Sequence, residues 1–442
     1  MKASHTLNTL RVAFDDPGLV ANAGLLLPAT LGQQLGLRQL IDEHLELGAV
    51  PGAANPGAKA LTVIASLLAG GDCIDHVNVL RAGRSATVLG HQAAAASTVG
   101  TFLRAFTWGH ARQLDVVSRE LLARAWGVGA GPGNAPLTID VDSSICETYG
   151  LCKEGGSRFG YTHVRGYHPI IAVAAGTGDL LHARLRSGPA NAGRGAGSFL
   201  AESFTRARSA GAGGQLTMRA DSGFYNRTVV RTCRRYDVRF SITVRMSRTL
   251  HTVIDDIPDD AWTPIAYFLD GADVAETTYR PFSGRDRKPV RLIVRRVRPT
   301  PGSQLALFTA FSYHAFITDR DGATLDLEAD HRRHAEVENT IRDLKYGVGL
   351  NHLPSGRFAA NAAWLALNTM AHNLARWTSR LGFGETLITT STLRHHHLAL
   401  PGRVTRSGRL DHLHLPARWP CATHFLTALR RLRCLRPATM PA

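Results

Sequence analysis

The stretch LTIDVDSS at positions 137–144 constrains the fold of this chain more than any other. Apolar and polar residues alternate along it, which is typical of a strand with one buried face, so Asp140 and Asp142 share a face. Two carboxylates on an otherwise apolar strand are costly to bury unless a positive group faces them. Either Asp142 closes the strand end through Ser143 and Ser144, or the acids belong to a cation site.

A second acid follows another predicted strand. The segment MRADSGFYNR places Asp221 directly after a strand at 215–220, and Ser222-Gly223 then predicts a sharp turn into a helix at about Asn226. Reactive groups are commonly placed on the loops that leave strand ends. The alternative is that Asp221 is a turn or helix-cap residue.

A third acid lies in HAEVENTIRDLKYG at 334–347, a helix that we predict to begin near Asp330. Its apolar stripe consists of Val337, Ile341, Leu344 and Val348. Another face carries His334, Glu338, Arg342 and Lys345. An exposed pair between Glu338 and Arg342 would be worth about 0.2–0.5 kcal/mol. That interpretation leaves His334 and Lys345 unexplained.

The three acids suit one chemistry. Hard divalent cations prefer carboxylate oxygens, and two ions about 3.5–4 Å apart can activate a water or a 3′-hydroxyl at a phosphodiester. We therefore expect Asp142, Asp221 and Glu338 to hold two Mg²⁺ (or Mn²⁺) ions. Arg342 and Lys345 follow the glutamate by one and two turns and are candidates for holding the flanking phosphates.

Charge points to the same class of partner. The 442 residues include 51 Lys and Arg against 35 Asp and Glu, a net charge of +16, which favours a polyanion. The six cysteines form no CxxC pair, so a disulfide scaffold or a zinc ribbon is not predicted. No apolar run approaches the roughly 18 residues of a membrane span. We expect a cytoplasmic protein.

Composition and periodicity divide the chain into five parts. Residues 1–133 are predicted to be a helical DNA-binding region, with helices at 19–45, 60–70 and 98–127, the last capped by Ser97 or Thr98. The Gly/Pro-rich segment 127–136 marks the clearest boundary. The remaining parts are 134–249, with alternating strands and helices, a β-rich stretch at 250–318, the region 319–385 with the glutamate helix, and a basic tail at 386–442. The tail contains a hairpin candidate turning at Ser407-Gly408.

In this order and with these surroundings, the three acids resemble those of the DDE transposases of bacterial insertion sequences. The resemblance is closest to the insertion-sequence thirteen-eighty group, allied to transposases with a Tyr-x2-Arg-x3-Glu-x6-Lys signature. Glu338 and Lys345 match the last two members of that signature, whereas His331 and His334 stand where it has Tyr and Arg. The segment 159–173 also looks like the group's segment after its first aspartate, and the resemblance covers roughly 135–440.

The resemblance implies an α/β fold: a ribonuclease-H-like core interrupted by an inserted β-rich subdomain, with a helical N-terminal region and a helical C-terminus. The 117 residues between Asp221 and Glu338 leave room for that insertion. Since the related families place the metal ligand directly before Ser or Thr, Asp142 is the first choice. Asp140 is then a supporting or structural acid.

The implied activity is cut-and-paste transposition by a DNA endonuclease and strand transferase. Its partners would be double-stranded transposon ends with inverted repeats and target DNA, bound by a homodimer in a bacterial, nucleoid-associated setting. The candidates for phosphate binding are Lys345, Arg342, Arg333 and His334, and Tyr225 is a candidate for stacking on a base. Two alternatives remain: a metal-dependent DNA nuclease without strand transfer, and a catalytically dead DNA-binding descendant.

Overall fold

The computed structural model describes residues 10–149, 153–155, 158–159, 163–188, 190–266, 271–283, 288–298, 311–384 and 388–436. A nine-stranded mixed sheet lies beside a layer of helices contributed by both ends of the chain. The predicted segment 159–173 lies partly outside the described residues. Within the described chain, no helix is long and apolar enough to cross a membrane.

The N-terminal part is helical, as predicted, but its helices are shorter. After a two-residue strand, β1 (Leu19–Val20), come α1 (Leu26–Gln34), α2 (Leu37–His44), α3 (Pro56–Leu68), α4 (Ser85–Leu89), α5 (Ala96–Arg104) and α6 (Trp108–Ala125). The expected helix at 19–45 breaks at Gly36, whose φ of 67° suits a glycine. The expected helix at 98–127 breaks before Thr107, which caps α6 by accepting a hydrogen bond from the His110 amide. The predicted cap at Ser97 or Thr98 is wrong, because α5 already begins at Ala96.

The sheet begins with the predicted acid-bearing strand. The elements of this part of the chain are, in order, β2 (Leu137–Ser143), β3 (Cys146–Glu147), β4 (Arg158–Phe159), β5 (Arg165–Tyr167), β6 (Ile170–Ala174), β7 (Asp179–Arg184), α7 (Ala196–Ser209), β8 (Leu216–Ala220), α8 (Arg227–Arg235) and β9 (Val238–Val244). Strands β3, β4 and β5 form a small separate sheet. In the large sheet these strands run in the order β7-β6-β2-β8-β9, with β6 antiparallel to β2 and with β2, β8 and β9 parallel. Because β2 and β8 are parallel neighbours, their carboxyl ends meet at one edge.

The strand-rich stretch continues this sheet. It contains α9 (Arg248–Asp255), β10 (Thr263–Pro264), β11 (Ala272–Tyr279), β12 (Val290–Val297) and β13 (Ser312–Thr318). The strands are antiparallel, and β13 pairs with β9, so the described part of the stretch extends the edge of the core sheet. The same hydrogen-bonded layer therefore carries both the predicted core and the predicted insertion.

The last part returns to helices. It contains α10 (Thr324–Arg332), α11 (Glu336–Arg342), α12 (Phe358–Trp377), α13 (Thr390–Leu393), β14 (Gly402–Ser407), β15 (Leu410–His414) and α14 (Ala422–Arg433). The glutamate helix was expected to begin near Asp330; instead α10 begins at Thr324 and joins α11 through a 3₁₀ turn. The C-terminal hairpin turns at Gly408-Arg409, one residue later than predicted, because Ser407 pairs with Leu410.

Helix α12 holds the two layers together. Almost all of its residues are buried, including Trp364 and Trp377, and it packs against α3, α6 and β7. The polar residues of α12 are buried as well, and Asn373, for example, bonds the backbone of Leu180 in β7. The N-terminal helices consequently share one hydrophobic core with the sheet that bears the acids.

Candidate active site

Asp142 and Asp221 lie side by side at the edge of the sheet. Val141 pairs with Ala220 in the parallel ladder, so the residues that follow them, Asp142 and Asp221, are also neighbours. Asp142 Oδ1 accepts a hydrogen bond from the Ser143 amide at 2.6 Å, and Asp221 Oδ1 accepts one from the Gly223 amide at 3.0 Å. These are the local contacts of strand-end and turn aspartates. Each uses one oxygen and orients the carboxylate, leaving Oδ2 available.

Glu338 projects from α11, which the predicted apolar stripe holds against the sheet. Val337 is 2% exposed and Leu344 is fully buried, whereas Glu338 is exposed. Arg342 donates to Asn339 Oδ1 at 3.3 Å instead of pairing with the glutamate. Within the described chain Glu338 has neither a hydrogen bond nor an ion pair, so the interpretation of these two residues as a surface salt bridge is wrong.

The three carboxylates act on one another electrostatically. Burial raises the pKa of Asp142, and the negative charges of Asp221 and Glu338 raise it further, against the lowering effects of the Ser143 amide and of His334. An unpaired cluster of like charges destabilises the ionised form. A bound cation would relieve that cost, so the donor set fits hard divalent ions.

The ligand oxygens of the three carboxylates are not gathered around one point. The ligand oxygens of Asp142, Asp221 and Glu338 do not all lie within 4.8 Å of one another. A single ion with oxygen ligands at about 2.0–2.6 Å would require a tighter group. Two ions about 3.5–4 Å apart that share one carboxylate can be held by a more widely spaced group of oxygen ligands. As they stand, the three carboxylates are therefore too far apart to bind one ion together.

Asp140 is engaged elsewhere. Arg219 Nε and Nη2 donate to its two oxygens at 2.8 Å each, and His334 Nδ1 donates to Oδ1 at 3.0 Å. Burial would raise the pKa of Asp140, but these hydrogen bonds outweigh it and lower the pKa. Both oxygens of Asp140 are occupied by protein donors, whereas Asp142 has no ion pair within the described chain. Sequence reasoning missed Arg219, although a charged residue inside an apolar strand was a signal.

His331 and His334, which replace the expected Tyr and Arg, both have protein partners. His331 bonds Ser241 Oγ at 2.7 Å through Nδ1 and Thr243 Oγ1 at 3.0 Å through Nε2. It also stacks on Phe316 with ring centroids 4.0 Å apart. Burial lowers its pKa to about 3, with help from the positive charges of His334 and Arg219, so the ring is neutral at physiological pH. His331 thus fixes α10 on β9.

The remaining predicted residues surround this edge. Lys345 Nζ donates to the Ile145 carbonyl, just beyond β2, at 2.9 Å. Arg342 is exposed, and Arg333 forms an exposed ion pair with Glu336 at 3.0 Å.

Tyr225 packs against the β-rich stretch. Its ring stacks on Phe282 with centroids 5.5 Å apart, and its hydroxyl donates to the Pro281 carbonyl at 3.4 Å. Burial raises the pKa of this phenol. The neighbouring Phe224 is fully buried, as expected of a core residue.

Two aspartates at adjacent strand ends, together with an unpaired glutamate whose charge acts on Asp142, form a carboxylate cluster of the kind that can bind divalent ions. The family is shown independently of that geometry. The model of the transposase DDE domain, group 1, matches residues 3–437, so the chain belongs to this family.

Other comparisons add little. No curated protein matches the chain. Among solved structures, the chain is similar to the piggyBac transposase in its synaptic complex with hairpin DNA, with 11% identity and a TM-score of 0.45, over 85% of this chain and 79% of that one.

Proposed function

We propose that this transposase cleaves DNA strands at the ends of its element and joins the freed 3′-hydroxyl to target DNA, by cut-and-paste. The observation that carries the proposal is the convergence of Asp142, Asp221 and Glu338 at one sheet edge, with Glu338 left without a protein partner. A structural salt bridge would have given that glutamate a partner. The family supports the same activity.

The strand order β7-β6-β2-β8-β9, with β6 antiparallel, supports a ribonuclease-H-like core. In this proposal β10–β13 are the insertion between the second and third acids, and 1–133 contribute to DNA binding. The order of the motifs supports placement in the bacterial insertion-sequence thirteen-eighty group, acting in the cytoplasm on the nucleoid.

The three acids would hold two Mg²⁺ (or Mn²⁺) ions, whose chemistry there would be to activate the attacking oxygen and to stabilise the leaving one. Asp142 would be the central ligand of such a site, since the charges of Asp221 and Glu338 both act on it. The hydrogen bonds from the Ser143 and Gly223 amides would hold the two aspartates in their orientation before DNA binds. The Asp140–Arg219 pair holds β2 and β8 in register beneath them.

The basic side chains around this edge are proposed to bind DNA phosphates. Lys345 lies beside the loop that follows β2, so it would contact the phosphate next to the scissile bond. Arg342 and Arg333 are exposed and would bind phosphates further along the strand. As an imidazolium, His334 would donate Nδ1–H to Asp140 and Nε2–H to a phosphate oxygen. Tyr225 would stack on a base only after leaving Phe282.

The proposed partners are double-stranded element ends with inverted repeats and target DNA, bound by a homodimer. The net charge of +16 supports a polyanionic partner, since contacts to phosphates supply much of the affinity for DNA.

The test combines purified protein, Mg²⁺ and DNA carrying candidate inverted repeats. Nicking followed by joining supports transposition; nicking alone would indicate a nuclease, and a gel shift without cleavage would indicate a DNA-binding descendant. Asp142→Asn, Asp221→Asn and Glu338→Gln should each abolish cleavage but retain the gel shift.

The matched control is Glu336→Gln, on the same helix, because Glu336 pairs with Arg333 and lies outside the acid cluster. This variant should cleave like the wild type. Full cleavage by the three acid variants would overturn the site assignment.

A further inference from the structure

We propose that Arg219 is a positioning residue, which fixes the helix that carries Glu338 relative to the two strand-end aspartates. The inference rests on the proposed function, because it concerns the same three carboxylates. It assigns to Arg219 the role of setting the distance between them, although within the described chain its side chain bonds none of the three.

Arg219 joins the two acid-bearing strands just before their acids. It precedes Asp221 by two residues, and it lies on β8. Its neighbour in the parallel ladder, Asp140, precedes Asp142 by two residues on β2. The Arg219 side chain is 2% exposed, and its Nε and Nη2 donate to the two oxygens of Asp140 at 2.8 Å each. This two-pronged contact sets the position of one strand end against the other.

The third nitrogen of the same guanidinium holds the other side of the site. Arg219 Nη1 donates to the Asp330 carbonyl, and to Asp330 Oδ1 at 3.1 Å. Asp330 lies in the last turn of α10, where its carbonyl also accepts the amide hydrogen bond of Arg333 that closes the helix. Arg320 donates to the second carboxylate oxygen of Asp330. Arg219 therefore reaches the point at which α10 turns towards α11 and Glu338.

The turn between α10 and α11 is held at a second point by the same strands. His334 lies in this 3₁₀ turn, and its Nδ1 donates to Asp140 Oδ1 at 3.0 Å. With the contact between Arg219 and Asp330, this bond closes a ring that the two strands and the turn share. Glu338 follows His334 by four residues, about one helical turn. A shift of the turn would therefore move the glutamate relative to the strand-end aspartates.

A role in stability alone explains only part of this arrangement. The pair between Asp140 and Arg219 would by itself compensate the buried charge and hold the strands in register. Arginine presents its donors in a rigid planar fork, and here each nitrogen has a partner on β2 or on α10. Other contacts attach α10 to other strands: Glu328 bonds Arg295 of β12 at 2.6 Å, and His331 bonds β9. Those contacts hold the helix on the sheet, whereas Arg219 ties its end to the strand that leads to the second acid.

The experiment begins with Asp330→Ala in the full-length protein. This variant removes the side-chain acceptor on α10 but leaves Arg219 paired with Asp140, so the buried charge stays compensated. At saturating DNA we expect single-turnover cleavage to slow by about 10–100-fold, because a small displacement of a reacting group is costly. The gel shift should be unchanged, since no proposed DNA contact is removed. Asp330→Asn, which keeps one acceptor oxygen, should recover part of the rate.

Glu328→Ala is the matched control on the same helix. Its side chain is 3% exposed, against 24% for Asp330, and it loses an ion pair to β12 instead of the contact to Arg219. It should be destabilised in urea at least as much as Asp330→Ala, yet it should cleave like the wild type. Equal slowing of both variants would mean that any loosening of α10 impairs cleavage, and would overturn the role of Arg219.

A second measurement needs neither metal nor DNA. In chelator, hydrogen exchange of the α11 amides should be faster in Asp330→Ala than in the wild type or in Glu328→Ala, because the ring no longer holds the start of that helix. Arg219→Lys keeps the charge but cannot bond two aspartates through a fork, so it should show the same increase. Unchanged α11 exchange in Asp330→Ala would overturn the inference. Absence of cleavage by the wild type would instead refute the proposed function, and the exchange rates would still decide the positioning role.

Discussion

Asp140 and Asp142 lie on one face of one strand, yet replacing each with asparagine should change stability in opposite directions. Asp140 is 2% exposed and binds Arg219 through two hydrogen bonds of 2.8 Å. Asp142 has no cationic partner in direct contact within the described chain and is repelled by Asp221 and Glu338. The first carboxylate is stabilised by its charge, and the second is destabilised by its charge.

The expected magnitude for Asp140→Asn follows from the buried pair. Removing one partner of a buried ion pair costs about 3–5 kcal/mol, because the other charge is left uncompensated. Arg219 keeps Asp330 Oδ1 at 3.1 Å, so we expect the lower end, about 3 kcal/mol. A chain of 442 residues unfolds with an entropy of about 0.9 kcal/mol per kelvin, so Tm should fall by about 3 °C.

Asp142→Asn should instead raise the free energy of unfolding when no divalent ion is present, by about 0.2–0.5 kcal/mol per relieved like-charge contact. The pH dependence separates the two variants. The folded-state pKa of Asp140 is lowered, so its contribution is complete at neutral pH and is lost as the pH falls through that folded value. The pKa of Asp142 is raised, so the gain from asparagine is also complete at neutral pH, but it vanishes in acid as the wild-type carboxyl becomes protonated.

Calorimetry and urea unfolding of both variants, in chelator and at pH 7 and pH 4, measure these effects. If Asp140→Asn were as stable as the wild type, or if Asp142→Asn were destabilised equally, the division into a supporting acid and a catalytic acid would be refuted.

Four further outcomes are expected. Millimolar Mg²⁺ should raise the Tm of the wild type but not of Asp142→Asn in a thermal shift assay, because ions that bind the native state stabilise it. Lys345→Ala should slow single-turnover cleavage by about 10–100-fold, the effect of losing one charge-assisted contact of about 1.5–3 kcal/mol, and an unchanged rate would exclude the phosphate role. Trp364→Ala should lower the free energy of unfolding by about 3–5 kcal/mol in urea, since this side chain is 1% exposed in the helix shared by both layers. Because the folded-state pKa of His331 is lowered to about 3, stability should fall as the pH drops below about 6.5, and His331→Gln should flatten that part of the pH profile.

Local pattern alone predicted the elements that carry the proposed site. Alternation along 137–144 predicted the strand and the shared face of its acids, and the helical spacing from Val337 to Val348 predicted the buried stripe that directs Glu338 outward. The strand and helix periodicities depend only on residues that are close in the sequence, so both can be recognised before the fold is known. Helix boundaries were less accurate: Gly36 and Thr107 end or begin helices within segments that look continuous.

Only the tertiary structure shows how Asp140 and Asp142 differ. Both are aspartates on the same face, and their difference comes from Arg219, which is 79 residues away along the chain but directly opposite Asp140 in the parallel ladder. The same holds for His331 and His334, whose partners come from β9 and β2. A sequence specifies which charges exist, but the register between strands decides which of them meet, and hence which carboxylate is neutralised by a partner and which is not.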